Sequence, residues 1–105
     1  MELNKDISEI IKAIALKHID YSEIMLFGSR ARKDSTSESD YDILIITDQL
    51  LSPKEKLPIK TSIRKELLKS GIRSDILIQS KMEMEAKKKL PGHIIRTILN
   101  EAIFL

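Results

Sequence analysis

The sequence predicts a small α/β domain: a mixed sheet of three or slightly more strands flanked by helices, in the order α-β-α-β-α-β-α-α. Three observations predict it. Apolar residues recur at helical spacing in several stretches, short β-branched runs alternate with those stretches, and capping and turn residues separate the two kinds of segment. With 105 residues, positions 1–105 are read as one domain, because that length cannot supply two independent cores.

Leu3, Ile7, Ile10, Ile11 and Ile14 fall on one helical face, with Asn4 placed as the N-cap and an end near His18. Glu23 to Phe27 is short and apolar and runs into Gly28, which predicts a strand entering a tight turn. Residues 33 to 40 are wholly polar and predict a solvated loop preceded by a single helical turn. Tyr41 to Thr47 carries Ile43, Leu44, Ile45 and Ile46, a run suited to a buried strand.

Ser52-Pro53-Lys54-Glu55 is a helix start, with Ser52 as cap, Pro53 at the first helical position and Glu55 closing a capping box. That helix runs through Ile59, Ile63, Leu67 and Leu68 and stops at Ser70-Gly71. Ile72 to Ile78 is the predicted third strand. Ser80 and Glu83 form a second capping box, for a short helix of Met84, Ala86 and Leu90 that Pro91-Gly92 ends. A last helix places Ile94, Ile95, Ile98, Leu99, Ala102 and Ile103 on one face.

Composition narrows the chemistry. The 18 Lys and Arg against 16 Asp and Glu leave a net charge of +2, which gives no case for a dedicated nucleic-acid site or a membrane surface. The absence of Cys excludes disulfides, thiolate zinc sites and thiol catalysis. His18 and His93 are too far apart in the chain to suggest a His-based metal cluster. Residues 1 to 6 lack a signal-like basic flank, and the apolar run Ile43 to Ile46 is far short of the ~20 residues of a membrane span. A soluble, cytoplasmic protein is expected. Its chemistry must come from carboxylates, hydroxyls and cationic side chains.

The informative stretch begins at Phe27-Gly28-Ser29-Arg30-Ala31-Arg32. Gly28 permits close backbone approach at a strand end, Ser29 offers a hydroxyl and helical-turn amides, and Arg30 adds positive charge, as a phosphate site needs. Asp40 and Asp42 follow. Residues two apart on a strand share a face roughly 6–7 Å apart, and such a carboxylate pair suits Mg²⁺. The bland alternative makes Asp40 the end of a loop and Asp42 an exposed strand-start residue. Asp75, in the otherwise apolar Ile72 to Ile78 strand, weighs against it. The three carboxylates meet the Gly28-Ser29 turn only if the first two strands are antiparallel and the second and third parallel. The helix from Pro53 to Ser70 supplies the crossover that the parallel pair requires. Such an edge looks like a metal-dependent phosphoryl or nucleotidyl transfer site.

Gly28-Ser29, ten intervening residues and Asp40-x-Asp42 resemble the signature of the DNA polymerase β-like nucleotidyltransferase superfamily. Gly-Ser-Arg-Ala-Arg with Ser-Asp-Tyr-Asp resembles in particular the minimal nucleotidyltransferase (MNT) antitoxins of prokaryotic HEPN–MNT toxin–antitoxin pairs. The resemblance implies that Gly28 and Ser29 bind the triphosphate of ATP, with Arg30 a further triphosphate contact. It implies that Asp40 and Asp42 hold two Mg²⁺ ions. Asp75 matches the third carboxylate, which ligates one ion and helps deprotonate the attacking hydroxyl. The implied reaction moves AMP from Mg-ATP to a hydroxyl, typically of Tyr, on a cognate HEPN-type ribonuclease toxin. Lys33 departs from the pattern, where many relatives carry Gly, and is expected to alter loop shape more than chemistry.

Other features have plainer readings. Arg32 is expected in a surface ion pair, Lys87-Lys88-Lys89 on a solvated helix face, and His18 and His93 in structural or surface roles. Tyr41 should pack away from the carboxylates, and the last helix's apolar stripe reads as core, with a partner interface the minority reading. The chain has no Arg followed four to six residues later by His, so it does not resemble the toxin half. Two rivals stand beside AMP transfer to a protein: an antitoxin that acts by binding alone, and a nucleotidyltransferase acting on a small molecule or RNA end.

Overall fold

A computed structural model describes residues 5–105. Leu3 and the cap expected at Asn4 lie outside the described residues. Helix α1 (Lys5–His18) is followed by β1 (Glu23–Phe27), the single turn α2 (Ser29–Arg32), β2 (Tyr41–Thr47) and α3 (Pro53–Lys69). Then come β3 (Ser74–Ser80), α4 (Lys81–Lys88), α5 (Ile94–Glu101) and β4 (Ile103–Phe104).

The sheet order is β3-β2-β1-β4. Strands β1 and β2 are antiparallel, with Phe27 opposite Asp42, and β2 and β3 are parallel, with Asp42 opposite Asp75. Both directions are those that a shared site demands. Strand β2 is central and covered on both faces, which explains its unbroken apolar run. Ile43 and Ile45 face Ile11 and Ile14 of α1 and Ile63 and Leu67 of α3. Leu44 and Ile46 face Met84 of α4 and Ile95 and Ile98 of α5.

Both expected capping boxes form, with the Glu55 amide donating to Ser52 and the Glu83 amide to Ser80. At the far end of α3, the Ile72 amide donates to the Leu67 carbonyl and the Gly71 amide to that of Leu68, with Gly71 left-handed at φ 78°. This pairing is a Schellman stop, whose usual apolar contact joins the two flanking residues. Ile72 therefore belongs to the helix end rather than to the strand. The strand starts two residues later than expected and extends to Ser80, where pairing with Thr47 continues.

The last segment also departs from expectation. Helix α5 stops at Glu101, Ala102 is extended, and Ile103–Phe104 adds a fourth strand against Met25 and Leu26. Ile94 is exposed rather than core, and the buried stripe narrows to Ile95 and Ile98. In α4, which ends at Lys88, Met84 is buried while Ala86 is exposed, and Leu90 lies beyond the helix and is exposed. The backbone amides of the apolar β1 edge take priority, because an unpaired edge leaves donors and acceptors without partners. Among the described residues, no helix is long and apolar enough to cross a membrane.

Candidate active site

The site is built where β1 ends. Gly28 turns the chain at φ 74° into α2, and its carbonyl accepts the amides of Ala31 and Arg32, each at 3.0 Å. The two intervening amides, of Ser29 and Arg30, belong to the first turn and have no acceptor in the helix. Gly28 is also a spatial necessity. A Cβ at this position would stand 2.1 Å from Oδ2 of Asp42. Glycine turn and carboxylate are thus packed backbone against side chain.

Asp42 alternates with the inward Tyr41 and Ile43, so it shares the sheet face of Leu44 and Ile46. Asp75 is its direct register partner on the parallel strand, at the strand spacing of about 4.8 Å. Burial pushes the Asp42 carboxyl above its ordinary range, and the charges of Asp75 and Asp40 push it further. Asp40 lies just before β2, is 54% exposed, and is turned to Arg73, its Oδ1 3.5 Å from the guanidinium Nε. Among the described residues, no three acidic or histidine side chains close into a ready-made metal cage. Like-charged carboxylates repel one another, and Arg73 offers Asp40 a counter-charge to one side. The donor set is all oxygen, and the charges of Asp75 and Asp40 add to burial in disfavouring ionisation of Asp42, which is the chemistry that a hard divalent cation relieves. The residues fit Mg²⁺.

The Arg30 side chain is engaged within its own loop. Its Nη2 and Nε donate to the Ser39 carbonyl at 2.8 and 3.2 Å, and the guanidinium lies 4.3 Å from the Tyr41 ring centroid. A cation so engaged braces the loop that delivers Asp40. Tyr41 packs away from the carboxylates in the α1–α3 core, as expected. Arg32 pairs with Asp34 at 3.2 Å and with Glu101 at 2.9 Å. His18 meets Glu66 at 2.7 Å, and His93 caps α5 by accepting the Ile95 amide at 3.1 Å.

Lys33 ends α2 in the left-handed region at φ 66°, so the loop keeps the shape that glycine would give it, at the cost of the strain of a side chain there. Lys33→Gly should therefore stabilise the protein by up to about 1 kcal/mol, the left-handed penalty less glycine's unfolded-state entropy. Urea denaturation reads this directly, and a loss of stability would place the Lys33 side chain in a contact that matters.

Glu101 was not anticipated. Its Oε1 accepts the Gly28 amide at 3.0 Å, across 73 residues of sequence, while Oε2 meets Arg32. The Arg32 pairing holds the Glu101 carboxyl below its ordinary range, helped by the Gly28 amide against a desolvation cost. No local pattern marks such a residue. Only the packing of α5 brings it to the turn.

Comparison with known proteins points the same way. The family "Polymerase beta, Nucleotidyltransferase" matches residues 9–104. A Methanocaldococcus jannaschii protein provisionally named a protein adenylyltransferase is 35% identical over 102 residues, which cover 96% of this chain and 95% of the relative. A chain in the crystal structure of a toxin–antitoxin with AMP-PNP superposes with a TM-score of 0.64 at 15% identity, covering 92% of this chain and 70% of the other. A chain from the structure of a tri-AMPylated Shewanella oneidensis HEPN toxin in complex with MNT antitoxin superposes with a TM-score of 0.58 at 13% identity, covering 97% and 71%. At those identities, the likeness is one of fold.

Proposed function

The chain belongs to the polymerase beta nucleotidyltransferase family, and from that premise we propose that it transfers AMP from Mg-ATP to a hydroxyl, expected to be a tyrosine's, on a cognate HEPN-type toxin, thereby neutralising it. The observation that carries the reading is the corner where Gly28, which has no room for a side chain, abuts Asp42, and Asp42 stands opposite Asp75. A turn that admits phosphate beside same-face carboxylates is what nucleotidyl transfer requires. The name of the M. jannaschii relative and the titles of the toxin–antitoxin structures support a protein acceptor.

In this reading the Ser29 hydroxyl and the Ser29 and Arg30 amides bind triphosphate oxygens, and Gly28 lets them approach. Asp40, Asp42 and Asp75 would hold two Mg²⁺ ions, which when bound supply charge neutralisation at the reacting phosphate. The acceptor oxygen attacks the α-phosphorus, the bond to the leaving pyrophosphate breaks, and Asp75 takes the hydroxyl proton. Asp75 is exposed, so it can meet a hydroxyl carried in on another protein. The raised affinity of Asp42 for a proton marks it as the carboxylate most relieved by a counter-charge.

The test is to incubate the chain with Mg-ATP and a candidate HEPN-type protein, then record the intact mass of that protein. Addition of AMP that depends on Mg²⁺ is the expected result. Tight binding without addition would favour an antitoxin that acts by occlusion. AMP added to a small molecule or RNA end, with none on protein, would overturn the assigned acceptor.

A further inference from the structure

The Gly28–Ser29 turn is held from outside its own element. Glu101, the last residue of α5, grips both ends of α2: one carboxylate oxygen accepts the Gly28 amide at 3.0 Å, and the other meets Nη1 of Arg32 at 2.9 Å. Its side chain is 18% exposed, against 48% for Arg32 and 60% for Asp34, the other carboxylate on that guanidinium. The better-shielded pair is the stronger one.

A four-residue helix has too few internal bonds to fix its own orientation. Without Glu101, the main restraints on this turn are the β1 ladder before Gly28, the Arg30 brace on the loop, and the left-handed Lys33 after it. Glu101 satisfies the Gly28 amide, and the amides of Ser29 and Arg30, in the first turn, remain without an acceptor in the helix. Glu101 is the last residue of a helix whose Ile95 and Ile98 are buried in the core.

The geometry points to Glu101 as a positioning residue that aims the Ser29 and Arg30 amides at the nucleotide's phosphates, and so sets nucleotide affinity rather than the rate of the chemical step. This inference rests on the reading that the turn takes a triphosphate. Hydrogen bonds to a charged partner are worth enough for their loss to weaken binding by about 10-fold or more.

The experiment measures ATP binding by calorimetry, transfer kinetics, and exchange of the Gly28 amide by NMR, for the whole chain and three variants. Glu101→Ala should raise the dissociation constant and the KM for ATP about 10-fold, leave kcat within about 3-fold, and speed Gly28 exchange. Glu101→Gln keeps the acceptor for Gly28 and should recover most of the affinity. Ser29→Ala is the control on the underlying reading. If the wild type binds ATP and Ser29→Ala weakens it while folded Glu101→Ala matches the wild type, the positioning role is wrong and the turn's assignment survives. A wild type that binds no ATP, or a Ser29→Ala that binds unchanged, removes the triphosphate reading and the inference with it. A Glu101→Ala protein that loses kcat at constant KM also overturns it, because the residue would then act on the reaction itself.

Discussion

Replacing Asp40 and Asp42 together by alanine is expected to lower AMP transfer by about 10³-fold or more while the protein stays folded. The magnitude follows from removing several kcal/mol of transition-state stabilisation at a metal-assisted phosphoryl centre, at 1.36 kcal/mol per decade. The fold should survive because neither carboxylate supports it. Asp40 is half exposed, and it makes a loose contact with Arg73. Asp42 is held in a place where ionisation is disfavoured by burial, then by Asp75 and by Asp40.

The sign of the pH dependence follows. A carboxyl whose folded pKa lies above its unfolded value lets the folded state bind the extra proton. The penalty is fully present above the folded pKa and disappears as pH falls below the unfolded value. Asp42→Asn should therefore melt higher than the wild type at neutral pH, with the gap closing under acid. Calorimetric scans across that range, beside a transfer assay, decide the matter. Undiminished transfer by the double alanine variant would remove the carboxylates from the mechanism.

Gly28→Ala is the second large effect. It meets two independent obstacles, a left-handed φ of 74° and an Asp42 oxygen 2.1 Å from the new Cβ. The backbone term alone, for a region at φ 74° and ψ −158° that is essentially open to Gly only, costs roughly 1–3 kcal/mol, and a total loss of about 3 kcal/mol or more with near-complete inactivation is expected once the clash is included. The clash is with a side chain, so it can be relieved. Combining Gly28→Ala with Asp42→Ala should return part of the lost stability and none of the activity, a non-additive pair. Strict additivity in urea denaturation would show that turn and carboxylate do not touch.

Much of this was legible in the sequence because it is local. Capping boxes at Ser52 and Ser80, the stop at Gly71 and the four-residue apolar run of β2 each state their structure within a few positions. Strand directions followed from one further demand, that Gly28, Asp42 and Asp75 meet at one end of a sheet. Nothing local foretold that α5 would stop at Glu101, since neither Gly nor Pro marks the end, and the pull comes from the open edge of β1. The contacts of the Arg30 side chain were not legible for a related reason. Its carbonyl partner at Ser39 lies across a loop whose path the sequence does not state. The grip of Glu101 on Gly28 is the extreme case, because it depends on the packing of a helix 73 residues away.

Strand β4 is only two residues long, yet it has a consequence for how the protein behaves in bulk solution. It covers the outer edge of β1 at Met25 and Leu26, within the segment Glu-Ile-Met-Leu-Phe, whose single charge sits at one end. A bare apolar edge of that kind is a template for intermolecular pairing. The same stretch of chain that holds the Gly28 turn through Glu101 thus also shields an edge that would otherwise be open to intermolecular pairing. Loosening that stretch is expected to expose the β1 edge and favour precipitation, so that variants of this segment would be lost to the pellet before an assay could see them.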